Sequence, residues 1–321
     1  MSNKYHHLPD GSFRNPPGSP VGAASATDMW RFLWKQLVGK TRIQIPPDHA
    51  LPKATVLKQL AETPVPSITW LGHAAFIIRV GGKTVLTDPY LQRTAGPLGV
   101  GPKRFVDSPL SAEELPQADL MLLSHNHYDH LDARMVDAYP YKSETQVIVP
   151  LGLGAFFTRR GYQKVLEQDW WDTWGMDDFR ITTLPAVHFS GRGLGDGNRT
   201  LWASFAIDSG QQKLWFSGDT ARGEVFREIG RRMGGFDYAL IAIGAYEPQV
   251  IMQNVHITPE EAVEITRTIA AKKAIGMHWG TIMLTPENPF DAPVRFRQAA
   301  IAQGLGEENA VVMKIGETRL L

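Results

Sequence analysis

The sequence has no cysteine among its 321 residues. Disulfide bonds and thiolate nucleophiles are therefore excluded, and a bound zinc ion would need histidine and carboxylate ligands. Zinc sites built from these ligands are typically catalytic and keep one position open, whereas structural zinc sites are typically rich in cysteine.

The sequence also has no net charge and no long apolar run. Because 33 basic residues balance 33 acidic ones, the bulk attraction that nucleic-acid binding relies on is missing, and we expect no nucleic-acid partner. No segment approaches the roughly 20 apolar residues that span a bilayer, and residues 1–19 lack the apolar core of a secretory signal. We expect a cytoplasmic protein whose membrane contact, where it has one, is peripheral.

The composition along the chain predicts two parts. Residues 1–66 are predicted to be an N-terminal extension, which is extended or disordered up to residue 27 and ends in a proline-rich connector. Residues 67–321 are predicted to form one compact domain, and the 43% of hydrophobic residues in the chain supply an ample core for it.

A short amphipathic helix is predicted at residues 28–38 of the extension, with Asp28 as its cap. Its apolar positions carry large side chains, namely Trp30, Leu33, Trp34, Leu37 and Val38. Basic residues lie beside them, so residues 30–38 would suit a peripheral membrane contact. Packing of the helix on the domain or on a partner subunit is the competing interpretation, and we favour it.

The strongest chemical signal follows the apolar run 119–123. This run predicts a buried strand, and the polar residues after it predict the loop at the end of the strand. Four potential metal ligands lie in that loop, namely His125, His127, Asp129 and His130. The two pairs can face two cations about 3.5–4 Å apart, the separation of two-metal hydrolases. A histidine-rich surface loop is the alternative.

A two-metal site needs at least one more histidine for each metal and a bridging carboxylate. Three further apolar runs, at 179–187, 214–218 and 273–277, each predict a strand. These runs lead to His188, Asp219 and His278, and each of the three residues is followed by small or turn-forming residues. The remaining ligands are therefore predicted at the ends of three strands.

Other polar residues lie close to these ligands in the chain. His73 and Asp88 follow predicted strands, where they could support a ligand imidazole or serve as a core histidine and a turn former. Arg104 ends a glycine- and proline-rich loop that is either solvated or contacts an anionic substrate. His256 precedes a helix-capping box at 258–261, where it could contact substrate, support the site or pack in the core.

The order of HxHxDH, histidine, aspartate and histidine resembles that of the metallo-β-lactamase superfamily. More narrowly, the chain from about residue 68 onward resembles the N-acylphosphatidylethanolamine-hydrolysing phospholipase D family. The peptides that carry this narrower resemblance lie at 101–105, 124–132, 149–153, 169–171, 218–220, 243–248 and 278–281. Residues 1–66 are outside it, but in the family this region can contribute to dimerisation and to a membrane-facing groove, which would suit the predicted helix and a homodimer.

The resemblance implies an α+β fold, a four-layer αββα sandwich with two zinc ions in the cleft between its sheets. It implies that His125, His127 and His188 bind one zinc, that Asp129, His130 and His278 bind the other, and that Asp219 bridges them. Tyr246 falls in a shared peptide and is taken as a residue that supports the site or contacts substrate. Val255 and Phe189 depart from the family pattern, which leaves acyl and headgroup preference open. Iron and manganese remain alternatives, because histidine and carboxylate sites accept them too.

Together these residues predict hydrolysis of a phosphodiester by a zinc-bound hydroxide. Asp129 and Asp219 are expected to orient the hydroxide, and His256 or a metal-bound water to protonate the leaving alcohol. The resemblance implies N-acylphosphatidylethanolamine as substrate, with an N-acylethanolamine and phosphatidic acid as products. The alternatives are a lactonase or cyclic-phosphodiester hydrolase of a small soluble substrate, a non-catalytic scaffold stabilised by zinc and, last, a nuclease.

Overall fold

The computed structural model describes residues 4–22, 24–38, 43–193 and 195–321. Two stacked seven-stranded sheets form the centre of this described part, and helices cover their outer faces. The first sheet contains β1 (Ser67–Gly72), β2 (Ala75–Val80), β3 (Lys83–Thr87), β4 (Leu120–Leu122), β5 (Gln146–Pro150), β6 (Lys164–Gln168) and β14 (Thr318–Leu320). The second contains β7 (Thr173–Met176), β8 (Phe179–Leu184), β9 (Ser204–Asp208), β10 (Lys213–Phe216), β11 (Phe236–Ala242), β12 (Ala271–Met277) and β13 (Ala310–Val311). The predicted α+β sandwich is confirmed.

The helices divide between the two outer faces of the sandwich, with α1 and α6 near its edge. Their bounds are α1 (Ala26–Val38), α2 (Lys53–Glu62), α3 (Ala133–Ala138), α4 (Gly154–Thr158), α5 (Val225–Met233), α6 (Gln249–Met252), α7 (Pro259–Thr268) and α8 (Asp291–Ala302), with short 3-10 turns at Pro97–Gly99, Ala112–Glu114 and Glu307–Asn309. Helices α2 to α4 pack on the first sheet and α5, α7 and α8 on the second. In the described ranges, no helix combines the length and the hydropathy that crossing a bilayer requires.

Strand β2 shows why the sheets need two apolar layers. Phe76 and Ile78 face the core between the sheets, whereas Ala75 and Ile77 face the core under the helices of the first sheet. Successive side chains of a strand point to opposite faces, so a strand that is buried on both faces must be apolar at nearly every position. The continuous apolar runs in the sequence are therefore the central strands of this sandwich.

Both sheets change from antiparallel to parallel pairing at an inner strand. Strands β14, β1, β2 and β3 pair antiparallel, and β3 to β6 pair parallel. The second sheet is antiparallel from β7 to β10 and parallel from β10 to β13. Because the carboxyl ends of parallel strands lie at one edge of a sheet, the loops after β3 and β4 leave together, as do those after β10 and β12.

The N-terminal residues lie against the sandwich. Phe13 is buried in the core between the sheets, and its main-chain N–H donates to the carbonyl of Asn198 at 2.8 Å. His6 is also buried. The disorder considered for residues 1–27 is therefore wrong for this part, because burial of apolar and aromatic side chains offsets the entropy of ordering it.

Helix α1 begins before its predicted start, and Asp28 is not its cap. The Asp28 carboxylate accepts hydrogen bonds from the main-chain N–H and the hydroxyl of Ser25 at 3.1 and 2.6 Å, and the Asp28 N–H donates to the Ser25 hydroxyl at 3.1 Å. This reciprocal pair has the form of a capping box with aspartate in place of glutamate. The side chains of Leu33, Leu37 and Val38 lie outside the described residues.

Asp132 caps α3 and also binds a second segment of the chain, at residues 91–92. Its carboxylate accepts from the N–H groups of Arg134 and Met135 at 3.1 and 3.0 Å and from those of Leu91 and Gln92 at 3.0 and 2.9 Å. An Asp132→Ala substitution is expected to lower the free energy of unfolding by about 2–4 kcal/mol, because it removes a helix cap and leaves further N–H groups without their acceptor. Urea unfolding of the metal-free protein measures this difference.

Thr258→Ala is the matched control for that substitution. Thr258 caps α7 through one bond, from the Glu261 N–H at 3.2 Å, so its removal is expected to cost about 1 kcal/mol. Equal losses of unfolding free energy in the two variants would contradict a role of Asp132 in connecting α3 to residues 91–92.

Candidate metal centre

The loop after β4 carries the candidate ligands His125, His127, Asp129 and His130 into the edge between the sheets. It begins at Ser124, whose main-chain N–H donates to the Asp88 carboxylate at 2.7 Å. Asp88 follows β3, the parallel neighbour of β4. The ends of two adjacent strands are thus tied together at the point where the loop starts.

His125, His127 and His188 form the first of two clusters. The His127 Nδ1 lies 2.9 Å from the His125 Nε2 and 3.2 Å from the His188 Nε2. All three ligand atoms lie within 4.8 Å of one another, and His125 and His188 are 1% exposed. The loop after β4 and the segment after β8 therefore bring three imidazoles to one point between the two sheets.

The second cluster contains Asp129, His130 and His278. The Asp129 Oδ2 lies 3.6 Å from the Nε2 atoms of both His130 and His278. His278 comes directly after β12 and His130 from the loop after β4, so this cluster also combines the two sheets. The structure brings together the residues that the resemblance assigned to the second metal.

Asp219 lies between the two clusters. Its Oδ2 is 3.1 Å from the His130 Nε2 and 3.9 and 3.8 Å from the Nε2 atoms of His125 and His188, while its Oδ1 is 3.2 Å from the His278 Nε2. A carboxylate that reaches imidazoles of both clusters has the geometry expected of a bridging ligand.

The donor atoms at this centre fit a pair of bound metal ions. The Nε2 atoms of His130 and His278 and the Oδ1 of Asp219 are buried and have no hydrogen-bond partner within the described residues. Buried polar atoms are normally paired. Here the two imidazoles lie 3.1 and 3.2 Å from the Asp219 carboxylate without the geometry of a hydrogen bond, so a metal cation between them would pair all of these atoms. Imidazole and carboxylate ligands suit zinc and also iron or manganese, so the donor set does not select one metal.

The two clusters differ in their electrostatics. Burial, together with the neighbouring His130, lowers the pKa of His125 well below its usual value, and burial lowers the pKa of His127 to about 4. In the second cluster burial acts in the same direction, but Asp219 and Asp129 outweigh it and raise the pKa of His278 to about 9. Without metal, the first cluster is therefore neutral and the second carries protons.

Both aspartates remain ionised despite their burial. Burial would raise the pKa of Asp219, but His130 and His278 hold it well below the usual range. Burial would likewise raise the pKa of Asp129, but His130, His278 and His73 hold it well below its usual range. The carboxylates are thus available as anionic ligands, and a metal cation would replace the protons of the second cluster.

Asp88 and His73 contact the candidate ligands. The Asp88 carboxylate accepts from the His130 Nδ1 at 2.6 Å, which leaves the His130 Nε2 directed at the centre. The His73 Nε2 donates to the Asp129 Oδ2 at 2.9 Å. The backbones of His73, Asp88 and His278 have φ angles of 55°, 32° and 63°, and such left-handed non-glycine residues cost about 1–3 kcal/mol each and cluster at functional sites.

Arg104 and Tyr246 do not line the cleft at this centre. The buried Arg104 guanidinium donates to the carbonyls of Tyr90 and Leu71 at 2.7 and 3.2 Å, so it ties the segments that follow β3 and end β1. The Tyr246 ring is buried in the core with the Arg295 guanidinium 4.6 Å from its centre.

His256 lies at the edge of the metal centre. Its Nδ1 is 4.0 Å from the Asp219 Oδ2 and is buried without a hydrogen-bond partner among the described residues. Burial lowers the pKa of His256 to about 4, so the ring is neutral at neutral pH.

Two contacts to His188 were not foreseen in the sequence. The Nδ1 of its ring donates to the carbonyl of Val255 at 2.8 Å, and its main-chain N–H donates to the Asn15 side chain at 2.9 Å. Asn15 is 173 positions away in the chain and belongs to no motif, so no local pattern could have indicated it.

A cleft of about 580 Å³ opens onto the metal centre. His127, Asp129, His188, Asp219 and His256 line its inner end. Its walls carry mostly apolar side chains, among them Met29, Phe32, Phe189, Ile251, Met252 and Val255. Met29 and Phe32 belong to α1, so the predicted extension contributes a wall of this cleft. This position of α1 is compatible with the groove that the family resemblance implied for the N-terminal region.

Comparison with known proteins agrees with the fold. The N-acyl-phosphatidylethanolamine-hydrolyzing phospholipase D 1 of Caenorhabditis elegans is 38% identical over 225 residues, which are 66% of this chain and 63% of that protein. The uncharacterized protein Rv0906 of Mycobacterium tuberculosis (strain ATCC 25618 / H37Rv) is 32% identical over 306 residues, which are 94% of this chain and 81% of that protein. The chain thus spans less than two thirds of the length of the worm enzyme.

A solved structure shows the same fold. The structure described as "a possible metal-dependent hydrolase from Veillonella parvula DSM 2008" superposes with a TM-score of 0.64, covering 80% of this chain and 100% of that one at 18% identity.

The family profile described as "Beta-lactamase superfamily domain" matches residues 83–279. This range contains every candidate metal ligand of the two clusters and Asp219. The chain therefore belongs to the beta-lactamase superfamily, as a hydrolase of the metallo-β-lactamase fold with relatives among the N-acylphosphatidylethanolamine-hydrolysing phospholipases D.

Proposed function

We propose that this protein is a phospholipase D-type phosphodiesterase that cleaves N-acylphosphatidylethanolamine into an N-acylethanolamine and phosphatidic acid. The observation that carries the proposal is the cleft, which joins a centre of histidine and aspartate to apolar walls. A long acyl substrate needs both features, because its phosphodiester must reach the metal ions while its chains leave water. The phospholipase D named among the relatives supports the choice of lipid.

The proposed metals are two zinc ions, bound as the resemblance implies. When bound, they would lower the pKa of a water molecule and offset the charge that gathers on the phosphoryl oxygens. The chain's own residues hold this geometry: Asp219 reaches both clusters, and Asp88 and His73 orient His130 and Asp129. In the reaction one water adds to phosphorus, the bond from phosphorus to the ethanolamine oxygen breaks, and the released alcohol takes a proton.

Asp129, Asp219 and His256 are the proposed catalytic residues. Asp129 and Asp219 line the inner end of the cleft and remain ionised, so they can accept a hydrogen bond from the attacking water as well as bind metal. His256 lines the same end in its neutral form. A neutral imidazole can donate a hydrogen bond to the leaving oxygen, and a protonated one could transfer the proton.

We also propose a division of labour between residues 1–66 and the hydrolase domain at 67–321. On α1, Trp30 and Trp34 are 62% and 53% exposed and their rings stack at 5.5 Å, while Met29 and Phe32 line the cleft. Exposed tryptophans beside an apolar cleft would suit a peripheral contact with a lipid surface, where such side chains are favoured. A cytoplasmic location and a homodimer remain predictions from the sequence.

The metal assignment is tested by counting metal ions bound to single-residue variants. The wild-type chain is expected to bind two zinc ions, His188→Ala to lose one, and Asp219→Ala to weaken both, because the Asp219 carboxylate reaches both clusters. Elemental analysis after gel filtration measures the ratio of zinc to protein. Asp119→Asn is the control, since Asp119 is a partly exposed carboxylate that pairs with Lys83, and two zinc ions retained tightly by His188→Ala would refute the ligand set.

The reaction is tested by mass spectrometry after incubation of zinc-loaded protein with N-acylphosphatidylethanolamine vesicles. N-acylethanolamine and phosphatidic acid are expected as products, and Asp129→Asn is expected to slow their formation by about 100-fold or more, the scale of losing one electrostatic contact at a reacting centre. Unfolding measurements on the variant confirm that it is folded. If wild-type protein with two bound zinc ions hydrolyses a soluble diester but not the lipid, the phospholipase proposal is refuted and a small polar substrate is favoured.

The role of α1 is tested by comparing its two faces. Phe32→Ala is expected to raise the KM for a monomeric long-acyl substrate by roughly 10-fold, because an aromatic contact with the chain is lost. Trp34→Ala is expected to leave that KM unchanged and to lower turnover of vesicles only. Values of KM for long-acyl and short-acyl substrates below their aggregation concentrations measure the contact of the cleft wall with the acyl chain. Turnover of vesicles measures the membrane contact. An equal response of both substrates to Phe32→Ala would contradict a wall that contacts the acyl chain.

A further inference from the structure

We propose that residues 4–22 form a strap that belongs to the metal centre, and that Asn15 is the positioning residue through which the strap fixes His188. The inference rests on the proposed role of His188 as a metal ligand and is independent of which substrate is cleaved.

The contact between Asn15 and His188 is direct and partly buried. The Asn15 Oδ1 accepts from the main-chain N–H of His188 at 2.9 Å and from the indole N–H of Trp202 at 3.0 Å. Because both neighbours are donors, the side-chain oxygen and not the amide nitrogen must face them. His188 is only 1% exposed, so its N–H depends on a protein acceptor.

His188 needs such support because it lies beyond the sheet. Strand β8 ends at Leu184, so the main-chain N–H of His188 has no ladder partner in that strand. Two bonds hold the residue instead, one from its N–H to Asn15 and one from its Nδ1 to the carbonyl of Val255. Together they direct the His188 Nε2 at the metal centre, 3.2 Å from the His127 Nδ1.

The start of the strap is anchored at Asp169. This buried carboxylate accepts from the ring nitrogens of His6 and His7 at 2.6 and 2.8 Å and pairs with the Lys4 ammonium at 3.0 Å. The His6 ring also stacks on Trp170 at 4.2 Å. His6, His7 and Asp169 lie close enough to hold a metal, but the Lys4 ammonium already compensates the carboxylate, so we assign the group as an anchor.

The end of the strap meets the second support of His188. The Gly22 N–H donates to the Asn254 side chain at 2.9 Å, and Asn254 precedes Val255, whose carbonyl holds the His188 ring. A Cβ atom at Gly22 would lie 2.6 Å from the Asn254 Oδ1, so a larger residue at this position would displace the Asn254 side chain. The strap therefore supplies one support of His188, through Asn15, and contacts the segment that supplies the other, through Asn254.

Zinc binding to full-length variants tests the proposal without using a substrate. Asn15→Leu, which has a similar size and no acceptor, is expected to weaken the binding of one of the two zinc ions by about 10- to 100-fold, the usual effect of removing a group that orients a metal ligand. The affinity for the other zinc ion is expected to stay unchanged. Asn15→Asp keeps an acceptor at this position and is expected to retain both affinities within a few-fold. Competition with a chromogenic chelator measures the two affinities separately.

Two further variants complete the design. Ser12→Ala is the matched control, because among the described residues the Ser12 hydroxyl bonds to Asp10 alone, within the strap. This variant is expected to bind both zinc ions as the wild type does. Asp169→Asn weakens the anchor without touching Asn15, is expected to weaken the same zinc ion as Asn15→Leu, and provides the test if the leucine variant does not fold.

The outcomes separate this proposal from the proposed function. Wild-type affinity for both zinc ions in folded Asn15→Leu, or an equal loss of both, would assign Asn15 a purely structural role and overturn the proposal. A wild-type chain that binds fewer than two zinc ions would overturn both proposals. A chain that binds two zinc ions, weakens one of them in Asn15→Leu and hydrolyses no lipid would support the strap and refute only the substrate.

Discussion

The metal centre depends on one buried carboxylate, that of Asp88. It is fully buried and accepts hydrogen bonds from the main-chain N–H of Ser124 at 2.7 Å and from the His130 Nδ1 at 2.6 Å. A buried carboxylate is tolerated only when donors such as these replace the water it has lost. Asp88 therefore connects the end of β3 to the start of the ligand loop and to the His130 imidazole of the second cluster. These contacts direct the ligands of the loop toward the centre where the loop leaves β4.

The charges of the two clusters explain why the centre would favour cations over protons only above a certain pH. The first cluster is neutral before metal binds, since burial lowers the pKa of His127 to about 4. The second holds protons, since Asp219 and Asp129 outweigh burial and raise the pKa of His278 to about 9. A metal ion that enters the second cluster must displace those protons, so its apparent affinity falls as the pH falls. A metal ion that enters the first cluster displaces no protons near neutral pH, so its affinity there is not reduced in this way.

Much of the fold could be predicted because strands that are buried on both faces appear in the sequence as short, mainly apolar runs. The runs before His188, Asp219 and His278 each contain a strand, and the residue at the centre follows that strand by one to four positions. Their order in the chain indicated a two-metal site, and the resemblance to the superfamily assigned each of them to a cluster. The predicted cap of α1 was wrong for a local reason. An aspartate can either cap a helix itself or form a capping box with a serine three residues earlier, as Asp28 does with Ser25.

What could not be predicted depends on contacts between distant segments. Asn15 and Val255 hold His188 from positions 173 and 67 residues away, and neither carries a residue type that marks a site. Arg104, which the sequence allowed as a substrate contact, instead satisfies main-chain carbonyls behind the centre. A guanidinium looks the same in sequence whether it meets a phosphate or a carbonyl, so only the packing decides.

The apolar walls of the cleft support the proposed lipid substrate over the small polar substrates considered as alternatives. A lactone or cyclic phosphodiester would occupy the inner end beside Asp219 and His256 and would leave walls such as Phe32 and Met252 in contact with water. Each methylene that instead moves from water onto apolar walls contributes roughly 0.8 kcal/mol. An acyl chain therefore gains binding free energy from the part of the cleft that a small substrate cannot use, and it does so without further polar contacts. Because α1 supplies Met29 and Phe32 to this part, the two proposals together assign the N-terminal residues a role in selecting the substrate as well as in supporting the metal centre.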